Sequence, residues 1–525
     1  MRKLLTILFA GALTAVAFQS NPHAGEAGAG PIFRVGTKVV EVDVVARDKK
    51  HPVAGLSKED FTLLDNGQAQ QIAFFSMRNI RSATAVPEAG PKAVAAGTFS
   101  NRPAADDAAT HTVLLLDQLM TSQANQAFAI QRITQYLQQR RKRDGIGIYA
   151  LGPDLHVVQD LTADDKLLKR AAGQLRSRVP AIRDSDTVGM TEVAAANYTL
   201  LYWQERVTAM KNALQATARH LANLPGRKSV VWITEGFPLL YCNPAIGCYD
   251  FRPEVEATAR SLDDANIALY SVDARGLIGA LGQMTGIQNA ESGPAPSGPR
   301  AIMMQRPAAV GPSHIETMDY LAKLTGGDVY YNSNGLEDSL EKAVEDADVT
   351  YSLGFYPVDA AQDGKVHKLS VKVARSGITL RYRQSYYAPV VQVEPERKPT
   401  MDKLLKDTLD AAQIGLRVQL EQDAAQAGFV KARVWVDLHD LQLAQQGSRW
   451  VGAVDVGFAF DKVTQAVVST RTIEIPDARL PEMLEQGMTA EQSLPWPEKA
   501  VELHIVVEDQ ATGVAGSLRI VRSKN

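Results

Sequence analysis

The feature of this sequence that most constrains its fold is a run of alternating strand-like and helix-like segments between residues 110 and 331. Short aliphatic stretches such as Thr112 to Leu116 and Ser229 to Thr234 alternate with segments whose apolar residues recur at helical intervals, such as Gln123 to Arg141. This alternation predicts a mostly parallel sheet with helices on both faces. We therefore predict a doubly wound, Rossmann-like α/β domain over 110–356.

Segments with a period of two lie on both sides of this region. The alternation from Val40 to Ala46 predicts a strand of a small β module over 30–80. A β hairpin predicted over 357–390 has the same pattern. We expect it to pair with the front module, because a module of about 50 residues is marginal as an independent β fold. Period-two segments further on predict a C-terminal β sandwich over 403–525.

Two stretches lack any such periodicity. Residues 81–109 are rich in Ala, Pro and Gly, and residues 391–402 carry Pro and several charges, so both are predicted linkers. The chain of 525 residues is long enough for three or four domains of roughly 150 residues each.

The N-terminal residues have the pattern of a secretory signal peptide. Arg2 and Lys3 precede an apolar run of about 14 residues, which is shorter than the roughly 20 that a membrane span needs. Ala15-Val16-Ala17 provides the small residues that a signal peptidase requires. We predict a signal peptide over 1–17, a mature chain without a transmembrane segment, and a periplasmic or extracellular location.

The chain contains two cysteines, Cys242 and Cys248. In an oxidising compartment, a pair that closes a short loop containing Asn-Pro and Gly most simply forms a disulfide. A redox-active or metal-binding pair would need C-x-x-C spacing or nearby His ligands, and neither is present.

Composition and motifs remove several function classes. The 56 Lys and Arg residues against 59 Asp and Glu give a formal net charge of −3, so no basic field favours nucleic acid. The nine His residues include no i, i+4 pair of the zinc-protease type. A G-x-S-x-G elbow and a P-loop are also missing from the sequence, so motifs give catalysis no support.

Several short segments resemble, in the same order, the von Willebrand factor A (VWA) domain of secreted acidobacterial-type VWFA-related proteins. They are VAGLSKEDF (53–61), DNG (65–67), TVLLLD (112–117), LPGRKSVVWITEGFP (224–238), LTGGDVYY (324–331) and YSLGFYP (351–357). The resemblance covers residues 33 to 390 and implies a VWA fold for the α/β domain.

VWA domains typically bind one divalent cation at a metal-ion-dependent adhesion site (MIDAS). Carboxylate and hydroxyl oxygens hold the ion there and leave one position for an acidic residue of the partner. The resemblance implies Mg²⁺ or Ca²⁺ at a degenerate MIDAS formed by Asp117, Thr121, Glu235 and Thr208, with Thr191 in reserve for Thr208.

Two departures from the motif leave a second interpretation open. Leu119 replaces a hydroxyl ligand, and Glu235 stands where the family has the shorter Asp. In the second interpretation, Asp117 caps the helix that follows it and Glu235 lies at another helix N-terminus. A carboxylate is favourable in that place by about 0.3–1 kcal/mol without metal.

In an open α/β sheet, ligands bind beyond the carboxyl ends of the strands, where the strand order reverses. We expect that point between the first and fourth strands, which Asp117 and Glu235 end. We expect a Gly- and Pro-rich loop over 276–312 to rise from the same rim, where its apolar residues would either meet a partner or pack on the domain. The residues predicted to form the partner-facing rim are Gln118, Phe237, Asp273, Met303 and Met304.

These features predict an exported, non-catalytic binding or adhesion-type protein whose rim docks a protein or cell-surface ligand. One alternative is a secreted hydrolase that uses the Asp117 and Glu235 carboxylates, which would need a sugar-sized cleft beside them. The other is a purely structural envelope component.

Overall fold

The structure is a computed structural model, and it describes residues 40–48, 51–79, 98–102, 110–140, 144–178, 187–224, 227–276, 314–331, 336–357, 365–388, 400–423, 426, 428–461 and 466–522. The predicted signal peptide and the rim residues Met303 and Met304 lie outside these ranges. Within them, no helix combines the length and the apolar character that a membrane crossing requires.

The described chain forms strands and helices throughout. The strands are β1 (Val40–Arg47), β2 (Phe61–Asp65), β3 (Gln68–Gln70), β4 (Phe74–Asn79), β5 (Thr98–Ser100), β6 (Thr110–Asp117), β7 (Asp144–Leu151), β8 (Leu155–Thr162), β9 (Lys228–Thr234), β10 (Leu240–Asn243), β11 (Gly247–Asp250), β12 (Ile267–Asp273), β13 (Val329–Tyr330), β14 (Val349–Phe355), β15 (Val366–Val373), β16 (Thr379–Arg381), β17 (Ser385–Tyr387), β18 (Leu416–Gln422), β19 (Phe429–Val436), β20 (Ala444–Gln446), β21 (Arg449–Phe460), β22 (Val467–Pro476), β23 (Met488–Pro495), β24 (Glu502–Asp509) and β25 (Ala515–Val521). The helices are α1 (Gln123–Gln139), α2 (Asp165–Gln174), α3 (Glu192–Leu221), α4 (Arg252–Asp264), α5 (Ile315–Leu324), α6 (Leu336–Glu345), α7 (Thr400–Lys406) and α8 (Leu480–Gln486).

A six-stranded sheet forms the centre of the α/β domain, in the order β13-β12-β9-β6-β7-β8. All neighbours pair in parallel except β8, which is an antiparallel edge strand. Val113 and Leu115 belong to an apolar core shared with α3, α4 and α5, whereas Leu114 and Leu116 belong to a second core shared with α1, α2 and α6. Helices therefore cover both faces, which confirms the predicted α/β architecture.

The strands before and after the α/β domain combine in two four-stranded sheets, β16-β1-β14-β4 and β17-β15-β2-β3, which share one apolar core. Strand β15 pairs antiparallel with β2, placing Leu369 opposite Asp65. The expected pairing with the front module is therefore present. The prediction of a simple hairpin over 357–390 was wrong in one respect. Strand β15 pairs with β17, whereas β16, which lies between them in the chain, pairs with β1 of the other sheet. Leu380 packs on the shared core, which explains the crossing.

Asp346 fastens these sheets to the α/β domain. Its carboxylate is fully buried and accepts hydrogen bonds from the guanidinium groups of Arg47 and Arg381 and from the Tyr270 hydroxyl. Arg381 also forms an ion pair with Asp328. A buried carboxylate is tolerated only when charges and donors of this kind surround it.

Residues 98–100 correct the prediction of a linker over 81–109. They form β5, which pairs antiparallel with β18 of the C-terminal domain. Asn101 extends this anchor, because its Nδ2 donates to the carbonyl oxygens of Ala411 at 3.0 Å and Ile414 at 2.8 Å. Such pairing uses backbone groups, so a three-residue strand leaves no periodic signal in the sequence.

The C-terminal domain has two sheets around one apolar core. The first is β23-β19-β18-β5 and the second is β20-β21-β24-β25, with β22 paired to β21. Alternate residues such as Val434, Val456 and Ile505 face this core. The predicted linker over 391–402 runs into α7, which begins at Thr400 and packs through Leu405 beside β24.

His220, on α3, joins the α/β domain to the C-terminal domain. Its Nε2 lies 3.0 Å from Asp160 Oδ2 and its Nδ1 lies 2.8 Å from the carbonyl oxygen of Asp410. Both partners are acceptors, so both ring nitrogens must carry a proton for both bonds to form. Burial alone would lower the pKa of His220, but the hydrogen bond and charge of Asp160, together with Asp410, raise it.

We expect this link to weaken as the pH rises. Because the folded-state pKa of His220 is raised above 6.5, its stabilising contribution is complete below that pH and is lost as the pH rises through the folded-state value. Burial acts to raise the pKa of Asp160, but the hydrogen bond and charge of His220 lower it to about 2, so Asp160 loses its contribution only in strong acid.

Urea unfolding of wild type, His220→Gln and the exposed control His51→Gln between about pH 6 and pH 9 checks this expectation. The free energy of unfolding that wild type gains over His220→Gln should shrink as the pH rises. The difference between wild type and His51→Gln should stay near zero. A gap between wild type and His220→Gln that is constant with pH would contradict the protonated link.

Candidate binding rim at the carboxyl edge of the sheet

Asp117 is the last residue of β6, and its carboxylate is fully buried. Its Oδ1 accepts hydrogen bonds from the backbone N–H groups of Leu119 and Met120, both at 2.9 Å. Its Oδ2 accepts from Trp232 Nε1 at 3.0 Å and from Thr234 Oγ1 at 2.9 Å. Burial raises the pKa of Asp117 to about 6, against the opposing effect of these four bonds. The carboxylate therefore ties the end of β6 to the end of β9.

Glu235 follows β9 and lies at the N-terminus of α1. Its Oε1 accepts hydrogen bonds from Ser122 N at 2.9 Å, Ser122 Oγ at 2.8 Å and Asn125 Nδ2 at 2.7 Å. Ser122 is the N-cap of α1, so the carboxylate meets a free N–H group and the positive end of the helix dipole. Asp117 and Glu235 thus share one edge of the sheet, between β6 and β9, where the strand order reverses.

The predicted hydroxyl ligands lie in different places. Thr121, which follows Asp117 by four residues, is buried, and its Oγ1 has no hydrogen-bond partner among the described residues. Thr208 lies on the exposed side of α3 and, in the described chain, shares no hydrogen bond with Asp117. Thr191 is the N-cap of α3. The hydroxyl that does contact Asp117 belongs to Thr234, which the motif did not point to.

Three predicted rim residues are described, and all three are buried, so the expectation that they face a partner was wrong. Gln118 is 5% exposed, and its Nε2 donates to the carbonyl oxygen of Arg176 at 2.6 Å. Phe237 lies wholly inside the apolar core. Asp273 is 3% exposed and is paired with Arg275. Residues at the end of a central strand lie beneath the flanking helices, which explains their burial.

Arg275 lies beside the carboxylates of Asp273 and Glu235, and His314 lies near Arg275 and Glu235. No sequence pattern points to either residue. Arg275 holds Asp273 through Nε–Oδ1 and Nη2–Oδ2 contacts of 2.9 Å each. Burial acts to lower the pKa of Arg275, but Asp273 and Glu235 raise it. Burial, with the charge of Arg275, lowers the pKa of His314, whose ring packs 5.7 Å from the Trp203 ring.

Arg206 supplies a second guanidinium at this edge. It is 4% exposed, and its Cζ lies 3.8 Å from the centroid of the Tyr202 ring. Burial lowers the pKa of Arg206, while the charges of Tyr202, Asp117 and Glu205 oppose that effect. A positive charge of the protein itself thus acts on the buried Asp117 carboxylate.

These contacts do not fit a resident divalent cation. Asp117 already accepts four hydrogen bonds and Oε1 of Glu235 accepts three, all from uncharged donors. Leu119 offers no oxygen, which leaves the Thr121 hydroxyl as the buried oxygen of the predicted set without a partner. No group of three or more His, Cys, Asp or Glu in the described ranges is arranged to hold a metal ion. The geometry favours the interpretation of structural carboxylates.

A short hairpin rises from the rim directly after β9. Strands β10 and β11 pair with Cys242 opposite Cys248, and these cysteines form the predicted disulfide. Tyr241 and Tyr249 pack on the domain core, while Leu240 is 48% exposed. A two-stranded ribbon is marginal alone, so the crosslink and the packed tyrosines hold it in one conformation.

Helix α3 is much longer than the strand that it precedes. It has 30 residues, or about 45 Å, against seven residues, or about 23 Å, for β9. Its buried residues lie almost entirely between Arg206 and Leu221. Trp203 contacts His314, and in residues 187–202, which we call the α3 overhang, only Ala196 is fully buried. The exposed apolar residues of the overhang are Val188 (81%), Met190 (43%), Val193 (51%) and Leu201 (58%).

No protein-family model and no curated protein matches the sequence. Similar solved structures include an aerotolerance-related membrane protein from Bacteroides fragilis, 16% identical over 45% of this chain and 98% of that chain, with a TM-score of 0.26. A von Willebrand factor type A protein from Catenulispora acidiphila is 10% identical over 86% of this chain and 74% of its own, with a TM-score of 0.25. Proximal thread matrix protein 1 from the mussel byssus, with a zinc-occupied MIDAS motif, is 10% identical over 48% and 49% of the two chains, with a TM-score of 0.26. VWA proteins are thus among the similar structures, but values this low carry no inference about function.

We expect Asp117→Ala to destabilise the protein, because it leaves four buried donors without an acceptor. The free energy of unfolding should fall by about 3–5 kcal/mol. The control Asp402→Ala removes a carboxylate with 77% side-chain exposure and should change the free energy of unfolding by less than about 0.5 kcal/mol. Urea unfolding followed by circular dichroism measures both, and equal stability of the two variants would refute a structural role for Asp117.

Titration calorimetry tests the absence of a resident cation. Protein stripped with EDTA should give no heat of binding with Mg²⁺, Mn²⁺ or Ca²⁺, because the oxygens that would ligate the ion are already engaged. A binding heat that Asp117→Asn abolishes, while Asp402→Asn leaves it intact, would show that a MIDAS-type site is present after all.

Proposed function

We propose that this chain is an exported, non-catalytic binding protein whose rim docks a protein partner through apolar side chains rather than through a bound cation. The observation that carries the proposal is that the α3 overhang and the β10–β11 hairpin both expose large aliphatic side chains. Leu201 on the first and Leu240 on the second are 58% and 48% exposed. Their neighbours Leu200 and Leu239 pack on the same apolar core, so both elements lie on the face of the sheet that this core covers.

The physical argument concerns exposed apolar area on rigid supports. Large aliphatic side chains that cluster on a surface favour association with another apolar surface, whereas scattered ones need no explanation. One end of the overhang is anchored by Trp203 and the hairpin is closed by Cys242–Cys248, so neither element has to become ordered on binding. Preformed surfaces of this kind lose less entropy when a partner docks.

The disulfide also supports the proposed export. Disulfides persist in the periplasm and outside the cell, and are rare in the cytosol. The pair Cys242–Cys248 therefore favours a periplasmic or extracellular location, in agreement with the signal peptide predicted over 1–17.

The hydrolase alternative receives no support from this geometry. A pair of catalytic carboxyl groups needs one group that is free to donate a proton to the substrate. Asp117 is buried and its oxygens accept four hydrogen bonds, while Oε1 of Glu235 accepts three at a helix N-terminus. We therefore assign these carboxylates to the support of the rim.

A capture experiment tests the proposal. The wild type and the double variant Leu201→Asp/Leu240→Asp, each immobilised, are incubated with envelope and secreted fractions of the source cells, and retained proteins are quantified by mass spectrometry. Wild type should retain a partner, and the variant should retain it about tenfold less, because two charges would be placed in the apolar contact.

The matched control is Val467→Asp/Val468→Asp on β22, where the two valines are 45% and 49% exposed in the C-terminal domain. This control should retain the partner like wild type. Equal retention by all three proteins would refute the rim as the docking surface, and retention by none would favour the structural alternative. Turnover of a secreted-hydrolase substrate that Glu235→Gln abolishes would overturn the non-catalytic assignment.

A further inference from the structure

A cleft of about 380 Å³ lies in the C-terminal domain, in a different domain from the rim. It is found where β18 begins and β19 ends, at one end of the sheet β23-β19-β18-β5. The lining residues that matter chemically are Trp435, Arg417, Arg102, Asp437, His439 and Gln486. The volume falls within the range of about 300–1,000 Å³ that small-molecule sites occupy.

Trp435 has no role in the sandwich core. Its neighbours Val434 and Val436 are buried, so strand alternation directs the indole to the opposite, solvent-facing side of the sheet. It is half-buried there. Arg417 lies directly across the ladder from Trp435, with its Cζ 5.5 Å from the ring centroid, and Cζ of Arg433 lies 5.8 Å from the same point. Two guanidinium groups thus hold an apolar ring at the mouth of the cleft.

Arg102, Asp437 and His439, which also line the cleft, belong to an interlocked set of polar side chains. The Arg102 Nη2 atom lies 2.8 Å from Asp437 Oδ2 and 2.8 Å from Asp440 Oδ2. Asp437 Oδ1 accepts from the His439 backbone N–H at 3.0 Å and lies 2.9 Å from His439 Nδ1. Asp440 Oδ2 also accepts from Gly415 N at 2.7 Å. These contacts fix planar donors and acceptors before any ligand arrives, which lowers the cost of binding.

We propose that this cleft binds a neutral saccharide. A pyranose ring has one face of C–H groups, which packs on an indole, and a rim of hydroxyls, each of which donates and accepts hydrogen bonds. Trp435 supplies the apolar platform. Asp437 and His439, with the exposed amide of Gln486, supply the fixed polar groups at its border. The site stands apart from the proposed rim and does not depend on it.

The charges in the cleft argue against an anionic ligand. Arg102 is already paired with two carboxylates, and Arg433 is paired with Glu491 at 2.5 Å. The carboxylate of Asp437 would repel a phosphate or an acidic sugar placed beside it. Because the lining balances Arg102 and Arg417 against Asp437 and Glu485, uncharged hydroxyls match it best.

The test is a titration with neutral hexasaccharides of glucose, xylose and N-acetylglucosamine, followed by calorimetry of the full chain. At least one should bind to wild type, and Trp435→Ala should weaken its binding by about tenfold or more, as truncation of a buried aromatic anchor does. Trp435→Phe should retain part of the affinity. The control Phe99→Ala removes a 37% exposed aromatic ring that does not line the cleft, and it should bind like wild type.

Thermal unfolding of each variant verifies that it is folded. Should Trp435→Ala fail to fold, Gln486→Ala at an exposed position tests the same cleft and should lower the affinity by about threefold or more. The proposal is overturned if none of the hexasaccharides binds to wild type or if the cleft variants bind like Phe99→Ala. Binding of oligogalacturonate alone would also overturn it, because it would identify an anion site.

Discussion

The rim of this molecule depends on one buried carboxylate. Asp117 collects two backbone N–H groups, an indole N–H and a hydroxyl, and so joins the loop after β6 to the end of β9. A desolvated carboxylate is tolerated only with such partners, and the same partners leave it no free lone pair for a cation. The arrangement that stabilises the switch point is therefore the one that excludes the metal.

Three carboxylates each stabilise a different junction of the molecule. Asp117 ties two strands within the α/β domain, Asp346 fastens that domain to the front sheets, and Asp160 reaches the C-terminal domain through His220. Each is matched by a different set of donors: neutral groups, two guanidinium groups, or a protonated imidazole. The stability of the three junctions should accordingly respond differently to pH and salt, since burial raises the pKa of Asp117 to about 6 and Asp160 and Asp410 raise the pKa of His220, whereas the Asp346 junction depends on guanidinium groups that stay charged.

Periodicity predicted the α/β domain, the flanking strands and the edge that carries Asp117 and Glu235, because burial imposes a regular pattern on the sequence. It missed the N-terminal turns of α3, from Glu192 to Trp203, where full burial is confined to Ala196, although Thr191 as N-cap followed by Glu192 is a usable start signal. It also placed Gln118 and Asp273 at the surface. A sequence shows that a residue lies at the end of a strand, but it does not show which helix packs over that residue and buries it.

Arg206 could not have been found in this way, because no local spacing tells that a distant guanidinium will face a given carboxylate. The same limit applies to β5, whose partners are provided by backbone groups far along the chain. Residues whose contacts depend only on the tertiary fold produce no hydrophobic periodicity, capping signal or motif in the sequence.

The pairing of β5 with β18 has a consequence for assembly. Ser100 and Leu416, which meet in this ladder, are 316 residues apart in the chain, so the nascent C-terminal domain must recruit a segment made long before it. Until that segment docks, β18 is an open edge with unpaired amides that a strand of another chain can occupy. Docking of the upstream segment thus covers an edge that a strand of another chain could otherwise pair with.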